Sequence, residues 1–295
     1  MSPPPFIHLH LHSEFSVADG MVRIKPLVER LVELEMPSVA LTDLANLYGA
    51  VKFYRACLAR GIKPVLGADV WVQSPLDPSQ TDRLVLLCRN NEGYRGLCRL
   101  LTAAYLQGQG QGQTHHPGRA VIPAENLAAE SGSLIALVCA EHAIAARELV
   151  EGNDAAAEQL LRRYQQLFDD RLYLELARVG RPHEEIYIDH ALELAARRSL
   201  PVVASNRVQF LHAANYDAHE IRVCINEGRV LEDSRRPRLF TDQQYLRSSK
   251  EMATLFEDIP EALANTREIA RRCNTFLRFN RNYLPTYPDL GDQPV

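Results

Sequence analysis

Short apolar runs rich in β-branched residues alternate with longer segments of helical period along most of this chain. Such runs predict strands at residues 7–11, 38–42, 63–72, 84–88, 134–139, 172–176 and 201–205, and the longer segments predict helices at 24–34, 47–60, 91–105, 155–168 and 182–198. This alternation is typical of parallel βαβ units, and seven of them predict a closed or nearly closed β/α barrel. A doubly wound open sheet is the alternative, although no glycine-rich nucleotide-binding motif follows any strand.

Composition excludes several classes of protein. Of 295 residues, 46% are hydrophobic and 24% are charged, with a formal net charge of −4, which is ordinary for a globular domain and argues against binding nucleic acid through bulk charge. No apolar run approaches the ~20 residues that span a bilayer, and no secretory signal opens the chain. The cysteines form no CxxC pair and predict reduced, mostly buried thiols in a cytoplasmic protein. They are Cys57, Cys88, Cys98, Cys139, Cys224 and Cys273.

The pattern becomes helical after residue 205, with predicted helices at 213–227, 249–256 and 260–273. Residues 107–113 alternate Gln and Gly and run into His115 and His116, which predicts a flexible loop. We therefore expect one barrel domain over residues 1–275, including its closing helices, followed by a linker over residues 276–295.

Three histidines at alternate positions form the most informative motif. In a strand, His8, His10 and His12 would point to one face. Convergent imidazoles with a nearby carboxylate, Asp19, resemble a metal-ligand set. The alternative is a single strand whose histidines are solvated or satisfied within the core.

Two further carboxylates are associated with strands. Asp43 closes the predicted strand at 38–42, and Asp69 lies within the strand at 63–72. Active sites of β/α barrels are built at the carboxyl ends of the strands, which makes both residues candidates. A carboxylate at a strand end is equally often a helix cap, so Asp43 fits either role.

Residues 10–13 together with Asp19 and Gly20 resemble the first motif of PHP (polymerase and histidinol phosphatase) domains. Residues 40–43, 46–51, 61–67, 91–94, 217–222 and 258–266 are similar to one branch, the N-terminal region of bacterial DNA polymerase III alpha subunits. The resemblance extends roughly from Phe6 to Pro288. It implies a distorted seven-stranded β/α barrel of PHP type with a short C-terminal extension.

The resemblance also implies that this chain is one part of a longer polymerase subunit. Residues 276–295 would lead toward a polymerase palm that lies outside this chain, together with the catalytic aspartates and their Mg. The implied partners are the rest of the alpha subunit and the proofreading exonuclease subunit. DNA would be bound through the parent protein, weakly or not at all by this fragment.

Carried over residue by residue, the family pattern places metal ligands at His10, His12, Asp19 and Asp69, with Asp43 nearby. Five other ligand positions are degenerate, namely Leu44, Arg83, Ala140, Arg207 and Gln209, although the register at Ala140 and Cys139 is open. Leu44 offers no lone pair, and the two arginines would oppose a metal and could pair with Asp19, Asp69 or Asp43. We expect a vestigial site without a tightly bound cofactor, or with one weakly bound Zn, Mn or Mg at His10, His12 and Asp19.

The function expected from this resemblance is that of a structural module in DNA replication and a docking site for the exonuclease subunit. The alternative is an active metal-dependent phosphoesterase, either a 3′–5′ exonuclease or a pyrophosphatase. A free-standing enzyme of the histidinol phosphatase type is a third reading, which the long similarity to the polymerase branch disfavours.

Overall fold

The computed structural model describes residues 6–17, 19–108, 119–233 and 235–279. His115 and His116 of the predicted loop, and residues 280–295 of the predicted linker, lie outside the described residues. The strands are β1 (Ser38–Leu41), β2 (Lys63–Gln73), β3 (Thr81–Cys88), β4 (Val121–Ile122), β5 (Leu134–Val138), β6 (Leu172–Ala177) and β7 (Val202–Ser205).

The helices follow the apolar periodicity of the sequence. They are α1 (Ile24–Glu33), α2 (Ala50–Leu58), α3 (Asn91–Gly108), α4 (Ala124–Glu130), α5 (Ile144–Val150), α6 (Asp154–Phe168), α7 (Glu184–Arg198), α8 (Tyr216–Glu227), α9 (Ser249–Leu255) and α10 (Pro260–Arg272). Helix α1 buries Ile24, Leu27, Val28 and Leu31, the spacing of one helical face. No helix in the described ranges is both long and apolar enough to cross a membrane.

The strands form one curled sheet in the order β1-β2-β3-β5-β6-β7, with β4 paired to β2. The expectation of parallel strands throughout is wrong at β3, which is antiparallel to both β2 and β5. Only residues 74–80 connect β2 to β3, with no helix among them, and a parallel crossover needs a longer connection. The strand β4 was missed because two residues are too few to show a period.

The first predicted strand, residues 7–11, is extended chain without a regular strand ladder. It is nevertheless bonded on both sides: Ala40 N donates to His8 O at 2.8 Å, and Val208 N donates to His10 O at 3.0 Å. His12 N donates in turn to Val208 O at 2.9 Å. This segment thus lies between β1 and the chain that follows β7, which confirms the distorted barrel and excludes the open doubly wound sheet.

The interior is closely packed around the strands. Every residue of β5 and β6 is buried, as expected for strands covered on both faces. A Cβ added to Gly67 in β2 would lie 2.5 Å from Leu86 O, so glycine permits the close approach of β2 and β3. All six cysteines are free, and five of them are buried.

Candidate metal-type site

Asp69 of β2 is the centre of a buried polar cluster at the carboxyl end of the parallel strands. Its Oδ2 lies 3.0 Å from His10 Nε2 and 3.1 Å from His12 Nε2. The extended segment before α1 presents both imidazoles to the same carboxylate, as the alternate spacing predicts. His8 does not join them, because its Nε2 lies 2.9 Å from Arg247 O and it is buried elsewhere.

Arg83 of β3 completes the surroundings of Asp69. Its Nε donates to Oδ1 at 2.8 Å and its Nη2 donates to Oδ2 at 2.7 Å. Arg83 is directly opposite Trp71 in the antiparallel pair, so Asp69, two residues before Trp71, is its diagonal neighbour on the same face. The guanidinium also lies 4.9 Å from the centroid of the Trp71 ring. Burial of Asp69 raises its pKa, but Arg83 and the two histidines outweigh this and hold the pKa well below its usual range.

Glu175 of β6 belongs to this cluster and was missed by the sequence analysis. Its Oε1 lies 2.7 Å from His10 Nδ1, and its Oε2 accepts from Ala140 N at 3.1 Å. Burial raises the pKa of Glu175, yet the contact with His10 and the hydrogen bonds lower it overall. A charged residue in the middle of the apolar run 172–176 was the available signal, because glutamate is rarely buried without a partner.

His12 has a second carboxylate partner in Asp19, whose Oδ1 lies 2.9 Å from His12 Nδ1. Burial lowers the pKa of His12, but Asp19 and Asp69 outweigh burial and raise it to about 9. The pKa of Asp19 is lowered, because His12 and Arg83 together outweigh its burial. Gln209 Nε2 lies 3.4 Å from His12 Nδ1. His12 therefore lies between two carboxylates and is a protonated imidazolium at neutral pH.

Two groups of side chains in the described ranges bring potential metal-ligating atoms within 4.8 Å of one another. One consists of His10, His12 and Asp69, and the other of His10, Cys139 and Glu175. Asp19 contacts His12 but belongs to neither group. At the open register, Cys139 and not Ala140 belongs to one of these two groups.

The donors in these groups are those that Zn and Mn prefer, but their surroundings oppose a cation. A metal bound to Asp69 Oδ2 at about 2.0–2.2 Å would compete with the Arg83 Nη2 that donates to the same oxygen. It would also have to displace the proton that Asp19 and Asp69 stabilise on His12. The donor set therefore does not fit a multinuclear metal cluster while Arg83 holds Asp69.

Asp43 is buried apart from these groups. Its Oδ1 accepts from Ser13 N at 2.6 Å and from Ser16 Oγ at 2.8 Å, and both oxygens accept from Ser13 Oγ. Burial raises its pKa despite these bonds. Leu44 N donates to Ser16 Oγ at 2.9 Å. Asp43 therefore anchors the loop after His12, and the two arginines do not pair with it.

Arg207 pairs with a carboxylate that the sequence analysis did not single out. It forms an ion pair with Glu141, whose Oε1 also lies 2.9 Å from Arg181 Nε. Arg207 is only 2% exposed and has a φ of +44°, in the left-handed region that non-glycine residues rarely adopt. It consequently connects the chain after β7 to the chain after β5, instead of neutralising Asp19 or Asp69.

Similar sequences extend over nearly the whole chain. A DNA polymerase III subunit alpha from Escherichia coli K12 is 45% identical over 99% of this chain, and the corresponding proteins from Vibrio cholerae and Pseudomonas aeruginosa are 45% and 44% identical over 99% and 96% of it. This chain covers 25%, 25% and 24% of those proteins, so it spans about a quarter of their length.

Two solved structures are distant matches. An amidohydrolase from Chromobacterium violaceum is 17% identical, with a TM-score of 0.46 over 68% of this chain and 86% of its own. A putative metal-dependent phosphoesterase from Bifidobacterium adolescentis is 14% identical, with a TM-score of 0.42 over 70% and 88%. The family model described as "PHP domain" matches residues 8–179, which include His10, His12, Asp69 and Glu175. This chain belongs to the PHP domain family.

Proposed function

We propose that this chain is the PHP domain of a DNA polymerase III alpha subunit, and that it is a structural module which docks the proofreading exonuclease subunit. The similarity to alpha subunits over 99% of the chain supports the proposal that it is part of such a subunit. In this proposal DNA synthesis and its Mg-dependent aspartates belong to the rest of a cytoplasmic polymerase. This domain would contribute folding stability and a protein-binding surface.

The observation that carries the proposal is the buried ion pair between Arg83 and Asp69, with side chains 7% and 0% exposed. A hydrolytic PHP site needs a divalent cation to generate hydroxide and to stabilise charge on a phosphoester. Here a guanidinium supplies the positive charge beside Asp69, and it is neither a Lewis acid nor a source of hydroxide. The polar cluster is therefore satisfied without a metal.

We expect the protein, purified without chelators, to contain well below one Zn, Mn or Mg per chain, because Arg83 competes for Asp69. Replacing Arg83 by Gln frees that carboxylate and should tighten zinc binding on the order of tenfold or more, the effect of one charge-assisted hydrogen bond. Metal content would be measured by mass spectrometry and affinity by titration with a zinc indicator.

The matched control for zinc binding is Arg119→Gln. Arg119 also stacks on Trp71, 4.4 Å from the ring centroid, but it makes no hydrogen bond to Asp69. Its replacement should leave zinc affinity unchanged. Two or more tightly bound metal ions in the wild-type protein would contradict the proposal.

Docking is tested by titrating the purified chain with the proofreading exonuclease subunit in a calorimeter. We expect saturable binding that EDTA does not alter, because the proposed role uses no metal in this domain. An unrelated nuclease of similar size provides the control. Absence of binding, or binding that depends on added zinc, would overturn the docking role.

A second candidate, metal-dependent phosphoesterase activity, is favoured by the two convergent ligand groups. Its test is manganese-dependent release of phosphate or nucleotide that disappears in His12→Ala. Activity that survives this substitution would come from a contaminant.

A further inference from the structure

Helix α2 carries an exposed apolar stripe beside its buried face. The helix buries four side chains in the core, namely Ala50, Phe53, Tyr54 and Cys57. Val51 and Leu58, which are seven residues apart and therefore share a face, are 48% and 50% exposed, and Tyr48 just before the helix is 69% exposed. We refer to Tyr48, Val51 and Leu58 as the α2 stripe. Single exposed apolar residues are common, but three along one helix face indicate a contact surface.

The α2 stripe runs between the two ends of the sheet. Helix α2 connects the parallel strands β1 and β2, so it runs in the direction opposite to both of them. Val51 therefore lies toward the carboxyl end of these strands, and Leu58 lies toward their amino end.

The chain after α10 enters this region from the amino end. Asn274 N donates to Arg89 O at 2.6 Å, just after β3. Because β3 is antiparallel to its neighbours, it ends beside their amino ends. Phe276 N donates to Asn91 Oδ1 at 2.7 Å, and Asn91 Nδ2 donates to Phe276 O at 2.9 Å. These bonds fix the place from which the chain passes onto α2.

Phe279 is the last described residue of this chain segment, and it lies on α2. Its ring centroid is 5.8 Å from that of Tyr54 and 5.6 Å from the Arg55 guanidinium. Tyr54 OH also donates to Thr275 O at 3.3 Å. Since Tyr54 and Arg55 lie halfway along α2, the chain has moved from the amino end of the sheet toward the start of the helix. The next part of the stripe in that direction is Val51.

We propose that residues 280–284 of this chain, which lie outside the described residues, bind the α2 stripe at Val51 and Tyr48. Tyr283 and Leu284 supply the apolar surface that such an occupant needs. Burial of Val51 beneath them is favoured by the hydrophobic effect. The occupant is joined to the stripe through Phe279, so its binding is intramolecular and does not cost the freedom of a separate partner.

The distances allow this contact. Val51 is one helical turn from Arg55, about 6 Å along the axis. A chain advances by at most ~3.3–3.6 Å per residue, so Tyr283, four residues after Phe279, can lie up to about 14 Å from it. Leu58 lies in the other direction and would remain uncovered.

The segment would thus lead from the amino end of the sheet to the side of the metal-type site. Helix α2 begins on that side, where Lys52 Nζ donates to Glu14 Oε1 at 3.4 Å in the loop after His12. The contact would therefore hold the connecting chain beside the loop that Asp43 anchors.

The test is limited proteolysis of the 295-residue chain with trypsin, in which cleavage after Arg281 is followed by mass spectrometry. We expect slower cleavage than in a synthetic peptide of residues 279–288, because cleavage requires the segment to leave the helix. Val51→Gln should raise the rate on the order of tenfold, the effect of losing the burial of one valine side chain. The matched control is Leu58→Gln, at an equally exposed position of the same helix, which should leave the rate unchanged.

Cleavage after Arg235, whose side chain is 89% exposed, reports on the rest of the fold and should be equal in all variants. If Val51→Gln accelerates this cleavage as well, Tyr283→Ser decides, because it changes the occupant without altering the helix. Three results would overturn the proposal. They are cleavage after Arg281 as fast in the wild-type chain as in the peptide, no acceleration by Val51→Gln or Tyr283→Ser, and equal acceleration by Leu58→Gln.

Discussion

Replacing Asp69 by Asn should destabilise the protein by about 3–5 kcal/mol, the usual cost of removing one partner from a buried ion pair. The carboxylate accepts from Arg83 and lies within 3.1 Å of His10 and His12. An amide at this position cannot balance the charge of Arg83, and its nitrogen faces other donors. The loss would be measured as the free energy of unfolding in urea.

The matched control is Asp217→Asn, an exposed aspartate in the first turn of α8. Its neutralisation should cost only a few tenths of a kcal/mol, up to about 1 kcal/mol. The double variant Asp69→Asn, Arg83→Met should recover part of the loss, because removing both members of a buried pair is often close to neutral. If Asp69→Asn alone does not fold, the free energy of unfolding of the double variant is measured instead. Equal losses at Asp69 and Asp217 would show that the cluster contributes nothing.

Stability should fall by about 3 kcal/mol as the pH rises from 6.5 through 9, because His12 loses its proton. The pKa of His12 is raised from 6.5 to about 9, so its stabilising effect is complete below pH 6.5 and disappears above the folded pKa. Deprotonation removes the positive charge between Asp19 and Asp69. Urea unfolding at a series of pH values across this window measures the slope.

Other groups act at the two ends of this pH window. Burial raises the pKa of Cys57 and of Cys273 from 9.0 to about 12, so these thiols also lower stability as the pH rises past about 9. Burial is the largest cause that lowers the pKa of His8 and of His142 to about 4. Both histidines therefore bind a proton more readily in the unfolded chain and destabilise the fold at acid pH. His12→Gln should be less stable at pH 6.5 and should show a flatter pH profile. Asp19→Asn should flatten the pH profile of stability in part. An unchanged slope in both variants would rule out His12 as the titrating group.

The fold could be predicted from periodicity where an element is long and locally determined. Six of the predicted strands and all the predicted helical segments correspond to elements of the structure. The direction of β3 could not be predicted in this way, because an apolar strand buried on both faces reads the same in either direction. Pairing, and not local sequence, decides that direction.

The site was predictable only in part. Alternation placed His10 and His12 together correctly, but it wrongly grouped His8 with them. The partnership of Arg83 with Asp69 depends on the register of β2 against β3, which brings residues 14 apart into contact. Glu175 is 165 residues from His10, and no local pattern connects them.

Residues 7–13 lie between β1 and the chain that follows β7, so their two neighbours are made at very different times. Residues 7–13 are synthesised before the strands of the barrel, but the backbone partner of His10 and His12 is Val208, and His12 and Gln209 are 197 residues apart. During synthesis one edge of this segment can pair with β1 early, whereas the other edge has no partner until Val208 has been made. Contacts of such long range are the slowest to form. The contacts of His10 with Glu175 and of His12 with Gln209 can therefore form only after most of the barrel has been synthesised.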